Sequence, residues 1–545
     1  MNVARVERLD HLGIVAGVIK DLGMIEMIDS RIEPDEREEI STGEAIAGMV
    51  LNGLGFSNRP MSLTPQFFEN KPMALLFRDG VSSDSFNRFK LGRSLDKTFS
   101  YGCDMLFSEI ALSVCQQEGI DLRFNCLDTT SFSLTGQYIP DSDEHAIAVT
   151  YGYSKDHRPD LKQAVLELMV SQDGGVPFLS KSWDGNASDN AIFKERSAAL
   201  LHEFAASSSP RYLIADSKVY TKKNAPNLAQ LPFITRIPGS LNDVSQVIGQ
   251  ALASEKWQPV DDESRATCSY HRVDLCHYGI QQRWLVVCSE AGIHRASKTI
   301  AKAQSKEYEK VNKQLFHLQA QRFDSTETAH KALDAIVQKL RYHKLESSAL
   351  TQHKKYARRG KPTADTPIKA ILWQIEATVT TAADDIITQE QRRRACFVLG
   401  TSIPEAELSD IEVIAGYKGQ GAVERGFRFL KAPEFFVSSL FVKKPSRMVG
   451  LLMVMTLALL VYSVAQRRMR KRLEIIGETI PNQINQPTSV PTLRWVFQLL
   501  EGIHQVSLDV DGQVTSVMDG ITELRGKILQ LFGKKVSQIY YISSA

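Results

Sequence analysis

The stretch YKGQGAVERGFRFLK, residues 417–431, decides how this chain is read. Tyr417, Gln420, Glu424, Arg428 and Lys431 follow one another at steps of three, four, four and three, which puts all five on one face of a helix. Val423, Phe427 and Leu430 fall on another face and form its core stripe. One amphipathic helix is therefore expected over 417–431, presenting an acid flanked by polar and cationic groups. A merely solvated face would carry the same pattern. Glycines at 416, 419 and 421 weaken the start of that helix, each by about 1 kcal/mol against alanine. They point to some other group coming close to the backbone.

Size and charge bound what the helix can belong to. At 545 residues the chain exceeds one compact core, and about two to four domains are expected. A net charge of +2 gives no global field, so any affinity for nucleic acid has to come from local basic patches. Seven cysteines without a C-x-x-C pair argue against a disulfide framework and for a reducing cytoplasm. The N-terminus, MNVARVERLDHLGIVAGVIKDLG, lacks a signal-peptide layout. Residues 448–465 carry no charge, yet eighteen residues of helix reach only about 27 Å against a hydrocarbon core of roughly 30 Å. Basic residues flank both ends. A buried core helix is expected there, and no membrane partner.

Outward from the helix, the chain changes character several times. Residues 1–120 read as helical, with Ser41 and Glu44 spaced as a capping box. Over 121–235 come strand-like runs: FNCLDTTSFSL, HAIAVTYGYS, a hairpin turning at Asp173-Gly174-Gly175, and RYLIADS. Residues 236–390 read as antiparallel strands followed by a helical hairpin over SKTIAKAQSKEYEKVNKQLFHLQAQRF and ETAHKALDAIVQKLRYHKLE. Strand character returns within 391–472, ahead of the opening helix and the apolar one, and 473–545 forms a C-terminal segment.

Three acids stand out by context. Asp128 interrupts an apolar strand, where an unpaired carboxylate is costly unless it holds a metal or faces a cleft. Asp216 ends a later strand, where ligands gather in open α/β sheets. Glu424 lies on the polar face of the helix. Converging, they could hold a divalent cation of the magnesium type; taken singly, Asp128 could cap a turn and Asp216 a helix.

The opening stretch resembles the Y-x2-R-x3-E-x6-K signature of bacterial insertion-sequence transposases with a DDE triad. Tyr417, Glu424 and Lys431 match it, while Gln420 stands where the family usually has arginine. LDTTSFSLTG, GYSKDHRPDLKQ, WDGNASDN and LIADSKVYTKKN also resemble blocks of that family, in its order. The resemblance implies an α/β fold: an RNase H-like catalytic core of residues 121–235 and 391–472, interrupted by an α+β insertion domain over 236–390, with a helical N-terminal domain able to bind DNA ends. It implies that Asp128, Asp216 and Glu424 are catalytic and hold two Mg2+ ions, with Mn2+ as substitute. DNA is the implied partner, as terminal inverted repeats and target, bound by a homodimer in a cytoplasmic, nucleoid-associated setting.

Tyr417, Gln420, Arg428 and Lys431 are then candidates for contacts to backbone phosphates. The acid-free segment HKKYARRGKPT, residues 353–363, reads as a basic loop offering Lys354, Lys355, Arg358 and Arg359 to DNA. The lysine ridge at 298–313 reads as a solvated face, being interspersed with Glu307 and Glu309. Trp183 could stack on an unpaired base or close a sheet edge. Rival readings are a nuclease that cuts without joining and a catalytically silent DNA-binding descendant.

Overall fold

The computed structural model describes the chain except residues 1, 58, 136–137, 139–145, 156–157, 206–210, 261–267, 358–360, 362, 364–365, 383, 433–441, 511–512 and 543–545. It divides into two compact units. The first comprises Met1–Thr235, Tyr278–Ile280 and Thr401–Ala545; the second comprises Arg236–His277 and Gln281–Gly400.

In the first unit both ends of the chain meet. Strand β1 (Asn2–Arg8) pairs antiparallel with His504–Val510, which pairs in turn with Gln513–Asp519. Five further strands carry the candidate site: β2 (Phe124–Leu134), β3 (Lys162–Ser171), β4 (Pro177–Trp183), β5 (Tyr212–Ala215) and β6 (Phe233–Arg236). Their order is β4-β3-β2-β5-β6. β2, β3 and β4 form an antiparallel meander, while β5 and β6 run parallel to β2. The sheet is therefore mixed, and its connections switch direction between β2 and β5. The run HAIAVTYGYS, expected as a strand, is instead irregular over its described residues. It makes a single bridge, Thr150 to Gln163, and the Gln163 side chain donates to the carbonyls of Tyr153 and Gly185.

The hairpin turn at 173–175 forms as expected, with Gly174 and Gly175 at φ of 84° and 68°. Asp173 accepts a two-pronged ion pair from Arg467, two of whose other N–H groups donate to the carbonyls of Glu118 and Gly119. Those partners take four of the five N–H groups of a guanidinium that is only 9% exposed. Arg467 belongs to the long apolar helix Pro445–Ile476, of whose most apolar window 89% is buried. Its apolar surface is covered by helices Thr42–Leu54, Arg88–Tyr101 and Cys103–Gln117 and by β4. The expected core helix is thus present and longer than 448–465.

The second unit holds β7 (Gln258–Val260), β8 (Cys268–His277), β9 (Ile280–Ser289), β10 (His343–Tyr356), β11 (Ile368–Thr381) and β12 (Cys396–Thr401). The order β12-β9-β8-β7 makes one group, and β10 pairs antiparallel with β11 along a long hairpin. Helices Glu290–Gln319 and Thr326–Val337 lie against that hairpin, burying Val311, Leu315 and Leu318 with Leu333, Ile375 and Val379. The helical hairpin was legible in the sequence; the β-hairpin was not. Residues from His343, expected to end a helix, begin β10. Lys354 and Lys355 sit in its ladder opposite Ile371 and Ala370 rather than in a loop. A strand that is polar on its open face shows little of the alternation that marks a half-buried one. Arg358 and Arg359 lie outside the described residues.

Candidate active site

Strand register sets the centre of the site. Leu127 of β2 and Ala215 of β5 are parallel partners, so the residues that follow, Asp128 and Asp216, stand side by side at the carboxyl end of β5. Each carboxylate is held from its own chain. Asp128 Oδ1 accepts from the Thr129 N–H at 2.7 Å; Asp216 Oδ1 accepts from the Ser217 N–H at 2.6 Å and its hydroxyl at 3.2 Å. The helix cap considered for Asp216 is present, whereas Asp128 lies within β2 and bonds the next N–H there instead of capping a turn; each bond occupies only one oxygen of its acid. Among the described residues neither Oδ2 has a hydrogen-bond partner.

A third acid, which sequence reasoning missed, completes this cluster. Asp189 opens the helix Asp189–Ala205 and lines a small pocket with Asp128, Asp216 and Lys218, floored by Leu127, Ile192 and Phe193. The Thr129 hydroxyl donates to Asp189 Oδ1, and Lys218 Nζ lies 3.0 Å from its Oδ2. Lys155 reaches in between, 3.8 Å from Asp128 Oδ1 and 3.5 Å from Asp189 Oδ1, while donating to the Thr129 carbonyl and hydroxyl. Burial pushes the Asp128 carboxyl above the ordinary carboxylate range; Lys155 pulls it back, and Asp189 and Asp216 push it up again. Burial acts likewise on Asp189, but Thr129, Lys155 and Lys218 outweigh it and hold that acid below its usual range. The signal was available: Lys155, Asp189 and Lys218 sit in three of the four short blocks singled out above, which meet here.

The stretch 417–431 is not one helix. Asp410–Lys418 ends, and a second helix runs from Gly421 to Leu430. Between them the Gln420 N–H bonds to the Tyr417 carbonyl and the Ala422 N–H to that of Gly419, tight three-residue steps that break the regular helical spacing. The core stripe holds, with Val423 and Leu430 fully buried and Phe427 nearly so. Two of the three glycines answer to the protein itself. A Cβ at Gly416 would stand 2.9 Å from the Phe124 ring, and one at Gly419 2.2 Å from Gln172 Cδ. Gly421 alone faces open space, apart from its own helix's Arg425.

These contacts also locate Glu424. Phe124, Cys126, Asp128 and Phe132 alternate onto one face of β2. Gly416 meets Phe124, Gln172 donates to Cys126 and to the Gly416 carbonyl, and Lys431 Nζ lies 5.6 Å from the centre of the Phe132 ring. The two helices thus run along β2 from Phe124 to Phe132. Glu424 falls midway between Gly416 and Lys431, and Asp128 falls midway between the two phenylalanines. Counted between those contacts, Glu424 falls opposite the middle stretch of β2, exposed, with no hydrogen bond or ion pair to a described residue. It does not touch the aspartates: among the described residues no three acidic, histidine or cysteine side chains lie close enough to hold a metal ion.

The remaining candidates are placed as follows. Tyr417 ends the first helix, Gln420 lies in the break, and Arg428 is exposed on the second helix, which Lys431 terminates. Trp183 is fixed on edge strand β4, its indole N–H donating to Glu167 and one ring face covered by Lys181 at 4.3 Å. It closes the sheet edge.

A family described as a domain of unknown function, DUF4277, matches residues 4–112, the N-terminal helical region. No curated protein matches the sequence. Among solved structures, a piggyBac transposase synaptic complex with hairpin DNA is similar at 12% identity and a TM-score of 0.29, over 85% of this chain and 79% of that one. At that TM-score the likeness adds nothing to what the sheet itself shows.

Proposed function

We propose that this chain is a DNA transposase of the insertion-sequence type, with Asp128, Asp216 and Glu424 as its catalytic acids. The observation that carries the reading is the pair Asp128 and Asp216, abreast where the sheet connections switch direction, the place at which open α/β sheets bind ligands. The sheet is compatible with the RNase H-like core that the sequence resemblance implies, and the second unit with an insertion between the second and third acids.

The donor chemistry suits magnesium: carboxylate oxygens, two of them with no partner. Asp128, Asp216 and Glu424 would hold the ions, whose contribution when bound is to neutralise charge at the reacting phosphate. Glu424 has to swing toward the aspartates to complete the set, and its exposed position leaves it free to do so. The Thr129 and Ser217 N–H groups orient the two aspartates. Lys155 and Lys218 offset the repulsion among Asp128, Asp189 and Asp216. Tyr417, Gln420, Arg428 and Lys431 follow the strand backbone, fixing its register without reading sequence. In the proposed reaction water cleaves the phosphodiester at an element end, and the freed 3′-hydroxyl attacks target DNA with loss of a second 3′-oxygen. Two ends held by a homodimer would let both join.

The test is magnesium-dependent cleavage of labelled DNA carrying the flanks of the chain's own gene, beside Asp128→Asn, Asp216→Asn and Glu424→Gln. Boundary cuts with joined 3′ ends, lost by more than about 100-fold in each variant with end binding kept, support the reading. Cuts without joining favour a nuclease. Variants that still cut overturn the assignment.

A further inference from the structure

We infer that the lysine face of helix Glu290–Gln319 is a track for the phosphate backbone of duplex DNA. The inference rests on the transposase reading for its choice of DNA. At 3.6 residues per turn, Lys298, Lys302, Lys306, Lys310 and Lys313 fall within about 120° of arc, and Arg295 joins them. All six are exposed. The helix turns its opposite side, through Ile300, Val311, Leu315 and Leu318, into the interior of the second unit.

The two acids that made this ridge look like an ordinary solvated surface do not behave alike. Glu307 faces inward, where it accepts from the Arg341 and Tyr342 N–H groups and pairs with His343 at 2.8 Å. Only Glu309 remains among the cations. Among the described residues none of the five lysines forms an ion pair. Four of them, 298 to 310, are spaced at successive i, i+4 positions, where like charges repel along a helix. A face built only for solubility alternates sign; this one accumulates charge of one sign over about 27 Å, most of one turn of duplex.

The main apolar side of the helix is buried against the β-hairpin, and only Tyr308 and Phe316 of its large apolar residues are exposed, too little for the helix to sink into a lipid surface. A polyanion remains as the partner of matching chemistry. Lys354 and Lys355, exposed on β10 of the same unit, add to the basic surface.

The experiment is a salt titration of full-chain binding to a labelled duplex of arbitrary sequence, followed by fluorescence anisotropy. Two triple variants at Lys298, Lys302 and Lys306 are compared with wild type, one to Glu and one to Gln, each checked by circular dichroism. The slope of log K against log salt should fall by about 2.7 in the Gln triple, three phosphate contacts at about 0.9 each, with affinity lowered alike on every sequence. The Glu triple should bind more weakly still. A wild-type slope in the folded Gln triple, with boundary cleavage intact, overturns the track and leaves the transposase reading standing. A wild type without salt-dependent duplex binding overturns both, and tighter binding to RNA duplex than to DNA overturns the choice of DNA.

Discussion

Asp128 and Asp216 stand abreast because the residues before them, Leu127 and Ala215, are partners in a parallel ladder. Neither acid can shift without the sheet shifting, and each is tied by one oxygen to the next N–H along its own chain. The two unpartnered oxygens are thus presented from β2 and from the end of β5, whereas Glu424 stands on an exposed helix face.

The ammonium of Lys155 lies among the carboxylates where a cation would be drawn. Lys155→Met should therefore bind Mn2+ more tightly than wild type, by about tenfold once solvent screening is allowed for. Calorimetric titration of the two proteins measures it. Weaker binding in the variant would make Lys155 a brace for the carboxylates rather than their competitor.

The glycines of the opening stretch separate by location. Gly419→Ala drives a Cβ into the Gln172 side chain, which must give up its bond to the Gly416 carbonyl, and should destabilise the fold by about 1–2 kcal/mol. Gly421→Ala meets open space at a helix start and should leave stability unchanged or raise it by up to about 1 kcal/mol. Urea unfolding of both variants checks the contrast; equal losses would mean that Gly421 is also packed.

At the helix break, Gln420→Arg restores the residue usual in the resembled family and should keep or raise cleavage. Lys431→Ala should remove about one phosphate contact, lowering the salt slope by about 0.9. A dead Gln420→Arg protein would show that this break sets a different path for the DNA strand.

Acid should weaken the first unit through His11. Its ring is largely enclosed, stacked on Phe497 at 4.1 Å and bonded to the Leu54 carbonyl, and loss of hydration lowers its pKa from 6.5 to about 4. The unfolded chain takes up a proton near pH 6.5 that the folded chain refuses until about pH 4. Stability is therefore full above pH 6.5 and falls progressively down to pH 4, by about 3 kcal/mol from this group. His11→Phe should flatten that fall in urea melts at pH 7 and 5. A parallel fall in wild type and variant would exclude His11 as its source.

Local patterns were enough to find β2, β3, β4 and β5, the turn at Asp173-Gly174-Gly175, the core stripe of Val423, Phe427 and Leu430, and the apolar helix. Each of these is written in neighbouring residues. What stayed hidden depends on partners far along the chain. The break after Lys418 accompanies packing against Phe124 and Gln172, some 290 and 250 residues earlier. Asp189 became part of the site only once Thr129, Lys155 and Lys218 were seen around it. The β10–β11 hairpin was missed because β10 is as polar as a loop; β11 is not, and it exposes Ile368 and Ile371.

The pairing of β1 with His504–Val510 has a consequence for how the chain is made. Tyr540 is wholly buried, donates to the Asp10 carbonyl and lies where any side chain at Gly13 would go. The segment from β1 to Gly13 thus waits for partners made far later in the chain. At about 5–20 residues per second, some 500 residues keep it waiting roughly half a minute to two minutes. During that time the apolar side of its first helices lacks its native cover, so a chaperone that shields nascent segments should govern the yield of folded protein. A chain that stops before Tyr540 should be degraded rather than accumulate as a smaller active one.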